Sequence, residues 1–246
     1  MSSFKKSRGS IKEYFKWRSA RNNTVVEKLD KIKKIKGQKI LEIGFGYGSL
    51  LKLLYSKGAN VVGTEVDSNS YKIAKHLLPK TKKIKLIQVK GETLPFKNAD
   101  FDMVILFDVI EHVTNPLKMI QECKRILKKN GVIYAEFTPY YSVVGHHLYD
   151  YSKLPIHYLP QYVVKQLVFN KHIESVFTPD QYWSQFVTLN KLKVSSFQSY
   201  VSKLTKIDEK FIIKYPDLFE INLPFLNNLG PIKDFFIMSF EGIYRK

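Results

Sequence analysis

One cysteine, five arginines and no long apolar run characterise this 246-residue chain by what it leaves out. Cys123 has no second thiol for an internal disulfide, which predicts a reducing environment and a cytoplasmic location. No stretch approaches the roughly 18–20 uninterrupted apolar residues of a membrane helix. The first 20 residues are charged and lack an apolar h-region, so no cleaved leader is expected. Basic residues outnumber acidic ones by 40 to 22, a formal charge of +18, yet 35 of the 40 are Lys. Guanidinium forks usually read phosphates and base edges, so the shortage of Arg weighs against dedicated nucleic-acid recognition. Lys point charges still attract polyanions, and peripheral contact with an anionic membrane stays open. A solvated Lys-rich surface is the plainer account of the excess.

What is present is an apolar fraction of 44%, enough for a sizeable core, and a regular alternation of strand and helix patterns. Residues 1–38 carry 12 basic and three acidic residues. Val25, Val26, Leu29, Ile32 and Ile35 recur at helical spacing, and Ile11, Tyr14, Phe15 and Trp17 predict a second, aromatic helix before them. Strands are expected at 40–44, 60–65, 84–89, 101–107 and 132–137. Helices are expected at 50–56, at 68–78 with Ser68 as N-cap, and at 115–128, ended by Asn130-Gly131 in a left-handed cap. Such an order predicts an α/β fold with a parallel, doubly wound sheet. Beyond residue 138 the rhythm is lost. A helix is expected at 181–204, and late strands at 211–214 and 235–240 would close the sheet as an antiparallel pair. The expected organisation is an N-terminal helical cover over 1–38 and a domain over 39–246 that carries an inserted, acceptor-side segment at about 138–205.

The densest signal is Leu41-Glu42-Ile43-Gly44-Phe45-Gly46-Tyr47-Gly48, between the first strand and its helix. Glycine tolerates positive φ and lets a ligand approach the backbone, and the following helix offers unpaired N–H groups. The spacing is G-x-G-x-G, which is not the dinucleotide pattern, and no Lys-Ser/Thr follows as in a phosphate loop. Ligands of doubly wound sheets bind beyond the carboxyl ends of the strands, where Glu65, Glu92 and Phe107-Asp108 also fall.

Further motifs follow in order: Gly63-Thr64-Glu65, Leu94-Pro95-Phe96, Phe101-Asp102-Met103-Val104, Val109-Ile110-Glu111-His112-Val113 and Arg125-Ile126-Leu127-Lys128-Lys129-Asn130-Gly131. With the glycine turn, this series resembles the class I S-adenosylmethionine-dependent methyltransferases, in their broad small-molecule branch, across about residues 38–138. The resemblance implies a Rossmann-like seven-stranded sheet, mostly parallel with an antiparallel last strand and helices on both faces. It implies S-adenosyl-L-methionine as cofactor. Glu42, Gly44, Gly46 and Gly48 would form the turn under the methionine part, and Glu65 would accept from the ribose hydroxyls. Gly91, Glu92 and Thr93 would border the adenine, and Phe107, Asp108 and His112 the methionine side. One departure stands out. The family usually places an Asp where this chain has Lys90, and Lys has no acceptor for the adenine amino group. Either Glu92 takes that part or backbone alone reads the base.

For a hydroxyl acceptor, methyl transfer needs in-line placement and removal of a proton. His146, His147, Asp150 and His157 are the candidate base residues, because an imidazole beside a carboxylate suits that task. No metal is expected, since adjacent side chains seldom converge on one ion. Tyr140, Tyr141, Tyr149, Tyr151, Tyr158, Tyr162, Tyr182 and Trp183 suit a partly apolar ring or a sugar face. The leading expectation is therefore methylation on oxygen of a small-molecule, glycan or lipid-linked acceptor. Three alternatives remain: an RNA or tRNA methyltransferase using the basic surface, a quinone-type C-methyltransferase at a membrane, with the apolar stretch 211–229 at its surface, and a binding module that has kept the fold without the chemistry.

Overall fold

The computed structural model describes residues 10–212 and 232–246. Helix α1 (Ile11–Ile32) starts at Ser10, whose hydroxyl accepts from Glu13 N while Glu13 accepts from Ser10 N. With no Gly or Pro between residues 11 and 32, nothing interrupts the turn-to-turn bonding, and the two expected N-terminal helices are one. Alternation then proceeds through β1 (Lys39–Ile43), α2 (Ser49–Ser56), β2 (Asn60–Glu65), α3 (Ser68–Leu77), β3 (Ile84–Gln88), β4 (Phe101–Phe107), α4 (Pro116–Ile126) and β5 (Leu127–Phe137). A 3₁₀ turn (Ile156–Tyr158), α5 (Gln161–Asn170), α6 (Pro179–Val187), α7 (Val194–Val201), β6 (Thr205–Ile212), α8 (Lys233–Phe236) and β7 (Ser239–Arg245) complete the described chain.

The seven strands form one sheet in the order β3-β2-β1-β4-β5-β7-β6. Pairs β1–β2, β2–β3, β1–β4 and β4–β5 are parallel, while β7 runs antiparallel to both β5 and β6. The strand order reverses between β1 and β4, which opens a crevice at their carboxyl ends. The central strands carry almost only buried residues, as a sheet covered on both faces requires. One core cluster joins α4 and α7 to one face; another joins α1, α2 and α3 to the other. A third, smaller core gathers Leu148, Tyr151, Ile156, Val164, Val168, Tyr182 and Phe186. No helix among the described residues is long and apolar enough to cross a membrane.

Several boundaries shift from expectation for local reasons. Asp67, not Ser68, caps α3, because its carboxylate accepts from Ser70 N. Helix α4 stops at Ile126, since Leu127 is already extended, and left-handed Asn130 sits inside β5. The expected helix over 181–204 splits into α6 and α7. Between them Lys191 takes a positive φ, and the Asn190 amide donates to the carbonyls of Ile110 and Val113. Phe235 and Phe236 close a short helix rather than open a strand, and β7 begins at Ser239. Strand β6 starts earlier than expected, at Thr205, and the expected continuation over 213–214 lies outside the described residues, as does the remainder of the apolar stretch to 229.

Gly63, in the middle of β2, has no room for a side chain: an added Cβ would lie 2.5 Å from Phe45 Cδ1 and 2.6 Å from Leu51 Cδ1. Gly63→Ala is therefore expected to destabilise the fold by about 1–3 kcal/mol through overpacking, read from urea unfolding curves; an unchanged midpoint would contradict this packing.

Candidate cofactor and acceptor site

A cavity of about 910 Å³ opens at the carboxyl ends of β1, β2 and β4. Its floor is the turn after β1. Gly44 N donates to Thr64 O at 2.7 Å and Phe45 N to the same carbonyl at 3.3 Å, which holds the turn against β2. Gly46 N donates to Glu65 Oε2 at 2.8 Å, while Glu65 Oε1 accepts from Val66 N and Asp67 N. Gly46 has φ +53°, and an added Cβ there would meet nothing within 4 Å, so its backbone faces open space. Gly48 is not on the lining: it caps α2 in the left-handed region and packs under Leu78.

Glu42 lines the cavity beneath this turn, and its Oε2 has no hydrogen-bond partner. Burial pushes its carboxyl up to about 8; the neighbouring Glu65 adds to this and Arg18 opposes it. Beyond the carboxyl end of β3, which runs parallel beside β2, Gly91 and Glu92 lie on the wall. Glu92 Oε1 accepts from Asn115 N at 2.7 Å, which ties the wall to the start of α4. Thr93 and Lys90 are exposed and off the lining.

Phe107 and Asp108 line the cavity under a cover from α1. Arg18 Nη1 and Arg21 Nη1 donate to Asp108 Oδ2 at 2.7 and 2.9 Å, and Arg21 Nη2 reaches Asp108 Oδ1 at 3.0 Å and Glu136 Oε1 at 2.6 Å. Both guanidinium carbons sit 4.4 Å from the centroid of the Phe107 ring. Although burial disfavours charge on Asp108, the two arginines hold its carboxyl well below the ordinary carboxylate range. Tyr14, Arg18 and Arg21 are lining residues that sequence reasoning missed. Some 90 residues separate Arg18 from Asp108, and the only local sign was the basic, aromatic character of the helix.

Farther along the cavity wall, His112 and His147 meet edge to face with centroids 5.0 Å apart. His112 Nδ1 lies 3.1 Å from Thr188 Oγ1 on the loop after α6, and His147 Nε2 lies 3.8 Å from Glu111 Oε1. Burial lowers His112 to about 4 and His147 to about 3; it raises the Glu111 carboxyl well above its usual value, with Asp108 adding to that rise. Both rings are thus neutral near pH 7. Among the described residues, Glu111, His112 and His147 bring three donor atoms within 4.8 Å of one another.

The other candidate base residues fall elsewhere. His146 is fully buried off the lining; its Nδ1 accepts from Leu148 N at 3.0 Å and its ring stacks on His157. The left-handed backbone at His147 sends these neighbouring imidazoles to different surroundings. Asp150 accepts from the Tyr182 hydroxyl at 2.7 Å and lies off the lining. His157 packs against Tyr140 and Tyr158, and burial lowers both His146 and His157 to about 4.

Residues 41–135 match a family model described as a methyltransferase domain. An uncharacterized protein of Methanocaldococcus jannaschii is 36% identical over 122 residues, which is 49% of this chain and 55% of that protein. A ubiquinone biosynthesis O-methyltransferase of Paracidovorax citrulli is 32% identical over 109 residues, 43% of this chain and 46% of its own length. The chain therefore spans about half the length of the curated relatives it matches. A crystal structure of a Pyrococcus horikoshii protein superposes with a TM-score of 0.61 at 20% identity, covering 96% of this chain and 92% of that one. Magnesium protoporphyrin IX methyltransferase from Synechocystis, with bound SAH, superposes at 0.56 with 14% identity, covering 96% and 88%. At these identities the superpositions show a shared fold.

Glu42 carries a pH signature. Between its ordinary pKa and about 8 the folded chain holds a proton that the unfolded chain has released, so stability falls as pH rises through that window. Glu42→Gln should exceed the parent in stability at pH 8, and the gap should close toward pH 4.5, in urea unfolding followed across that range. A gap independent of pH would contradict the raised pKa.

Proposed function

We propose that this chain, whose residues 41–135 match a methyltransferase-domain model, is a class I S-adenosylmethionine-dependent methyltransferase that methylates an oxygen of a small-molecule, glycan or lipid-linked acceptor. The observation that carries this reading is one cavity with the glycine turn, bonded through Gly46 N to Glu65, at one end and the His147–Glu111 contact on its acceptor side. The cofactor, when bound, supplies a methyl group already activated by its sulfonium. The residues present fit it. The open faces of Gly46 and Gly91 leave room for close backbone approach, and the unpartnered Oε2 of buried Glu42 calls for a hydrogen-bond partner. Glu65 Oε2, which accepts a single backbone N–H, retains capacity for a ribose hydroxyl. Gly91 and Glu92 would border the adenine. Phe107, Asp108 and His112 would border the methionine part, under the positive charge of Arg18 and Arg21.

On the acceptor side, His147 is the base in this reading. It is neutral at working pH and lines the cavity, and a proton taken from the acceptor would rest 3.8 Å from Glu111. Charge on either group then lowers the cost of burying charge on the other. Residues 1–38 serve as the cover, which the lining contributions of Tyr14, Arg18 and Arg21 support. Residues 138–205 serve as the acceptor segment, supported by Thr138, Val144, His147, Tyr149, Gln181 and Gln185 on the wall.

Calorimetry with S-adenosylmethionine tests the donor half. Glu65→Ala should weaken binding by at least about ten-fold, the scale of a hydrogen bond to a charged group, and no binding by the parent chain would overturn the proposal. For the acceptor half, tritium transfer to a panel of phenolic and glycosidic acceptors should fall by about 10²–10⁴ in kcat for His147→Gln, with cofactor affinity unchanged. An unchanged kcat would remove His147 as base.

A further inference from the structure

Seven of the fourteen exposed large apolar side chains among the described residues fall within residues 149–169. Helix α5 explains part of this. Val164 and Val168 face the small third core, while Tyr162, Lys165 and Phe169 occupy the opposite face at i, i+3 and i+7 spacing. Tyr162 is 72% exposed and Phe169 42%; Leu154, in the loop before the 3₁₀ turn, is 73% exposed. Tyr158 and Leu159, between Leu154 and α5 in the chain, are also exposed. Residues 151–173 contain Lys153, Lys165 and Lys171 and no Asp or Glu, between Asp150 and Glu174; Lys171 Nζ donates to Tyr151 O at 2.6 Å, which leaves Lys153 and Lys165 as the charges beside the apolar side chains. Lys165 Nζ stands 5.9 Å from the ring centroids of both Phe169 and Trp183, so its charge is carried at the edge of the apolar face. The surface adjoins the cavity through Tyr149 and Lys153, which line the cavity and stand 5.8 Å apart, Lys Nζ to ring centroid.

Exposed Tyr and Leu with Lys153 and Lys165 beside them, and with the nearby Asp150 carboxylate taken up by the Tyr182 hydroxyl, match the boundary between lipid headgroups and acyl chains. A protein partner fits less well, because Lys is depleted from the buried centres of protein interfaces. A second copy fits least: two copies would set like charge on like charge in a chain already at +18. We propose that this face rests on an anionic phospholipid bilayer, and that the cavity mouth beside it thereby opens toward an acceptor carried in or on lipid. The first half stands on the surface alone; the second rests on the methyl-transfer reading above.

Sedimentation with vesicles of phosphatidylcholine alone, or of phosphatidylcholine with phosphatidylglycerol, tests it on the full chain. The parent should partition at least about ten-fold more strongly to the anionic vesicles, and the double variant Leu154→Asp, Tyr162→Asp should lose about that factor. Phe169→Asp provides a second variant on α5. None of the three residues lines the cavity, so S-adenosylmethionine affinity measured on the same preparations should stay unchanged, which also certifies folding. Equal partitioning of parent and variants, or no preference for phosphatidylglycerol, would overturn the proposal. So would a self-association of the parent that the variants abolish. Intact vesicle binding without cofactor binding would instead sink the methyl-transfer reading and leave this surface standing.

Discussion

The Glu65 carboxylate holds the floor of the cavity together. It ends β2, takes two backbone N–H groups of its own following turn on one oxygen, and with the other takes Gly46 N from the turn after β1. Two strand ends that would otherwise carry unpaired donors into an open crevice are thereby cross-linked through a single side chain. The turn could not pass this close with a bulkier β2, and Gly63, two residues earlier, is where Phe45 and Leu51 pack down onto the strand. Removal of the Glu65 carboxyl group would leave three amides to find water, so this cavity-lining residue is also structural.

A second layer of charge fastens α1 over that crevice. Arg18 and Arg21 share Asp108, Arg21 continues to Glu136, Lys28 holds Glu241, and the Tyr134 hydroxyl lies within hydrogen-bond distance of both buried glutamates. Asn22 adds a bond to Ser49 at the start of α2. Buried carboxylates are costly unless paired, and here the pairing partners come from a helix that lies outside the matched methyltransferase region. The cover and the sheet therefore depend on each other. Apolar packing of Val25, Val26 and Leu29 supplies adhesion, and the ion pairs set which residues of α1 face the cavity.

The strand and helix order through residue 137 was legible because each element announces itself locally: apolar runs for buried strands, Gly at the turns, Asn115 and Pro116 at a helix start. Element ends were less legible. Asp67 displaced Ser68 as cap, and Asn190 broke a long helical pattern through bonds to carbonyls some 80 residues away. The candidate site divided along the same line. Gly44, Gly46, Glu65, Gly91, Glu92, Phe107 and Asp108 line the cavity because contiguous motifs at strand ends place them there. Of the four candidate base residues, only His147 lines it, because a single left-handed residue separates its surroundings from those of His146.

By itself the sequence determined the doubly wound sheet, the glycine turn and the acidic end of β2. Those features follow from backbone preferences and burial patterns that act over a few residues. Only the tertiary structure decided that Arg18 and Arg21 close over Phe107 and Asp108, that Glu111 stands beside His147, and that one face of α5 is left uncovered. Each of these depends on which distant groups must share a buried charge or leave an apolar surface bare, and no local pattern of residues encodes that choice.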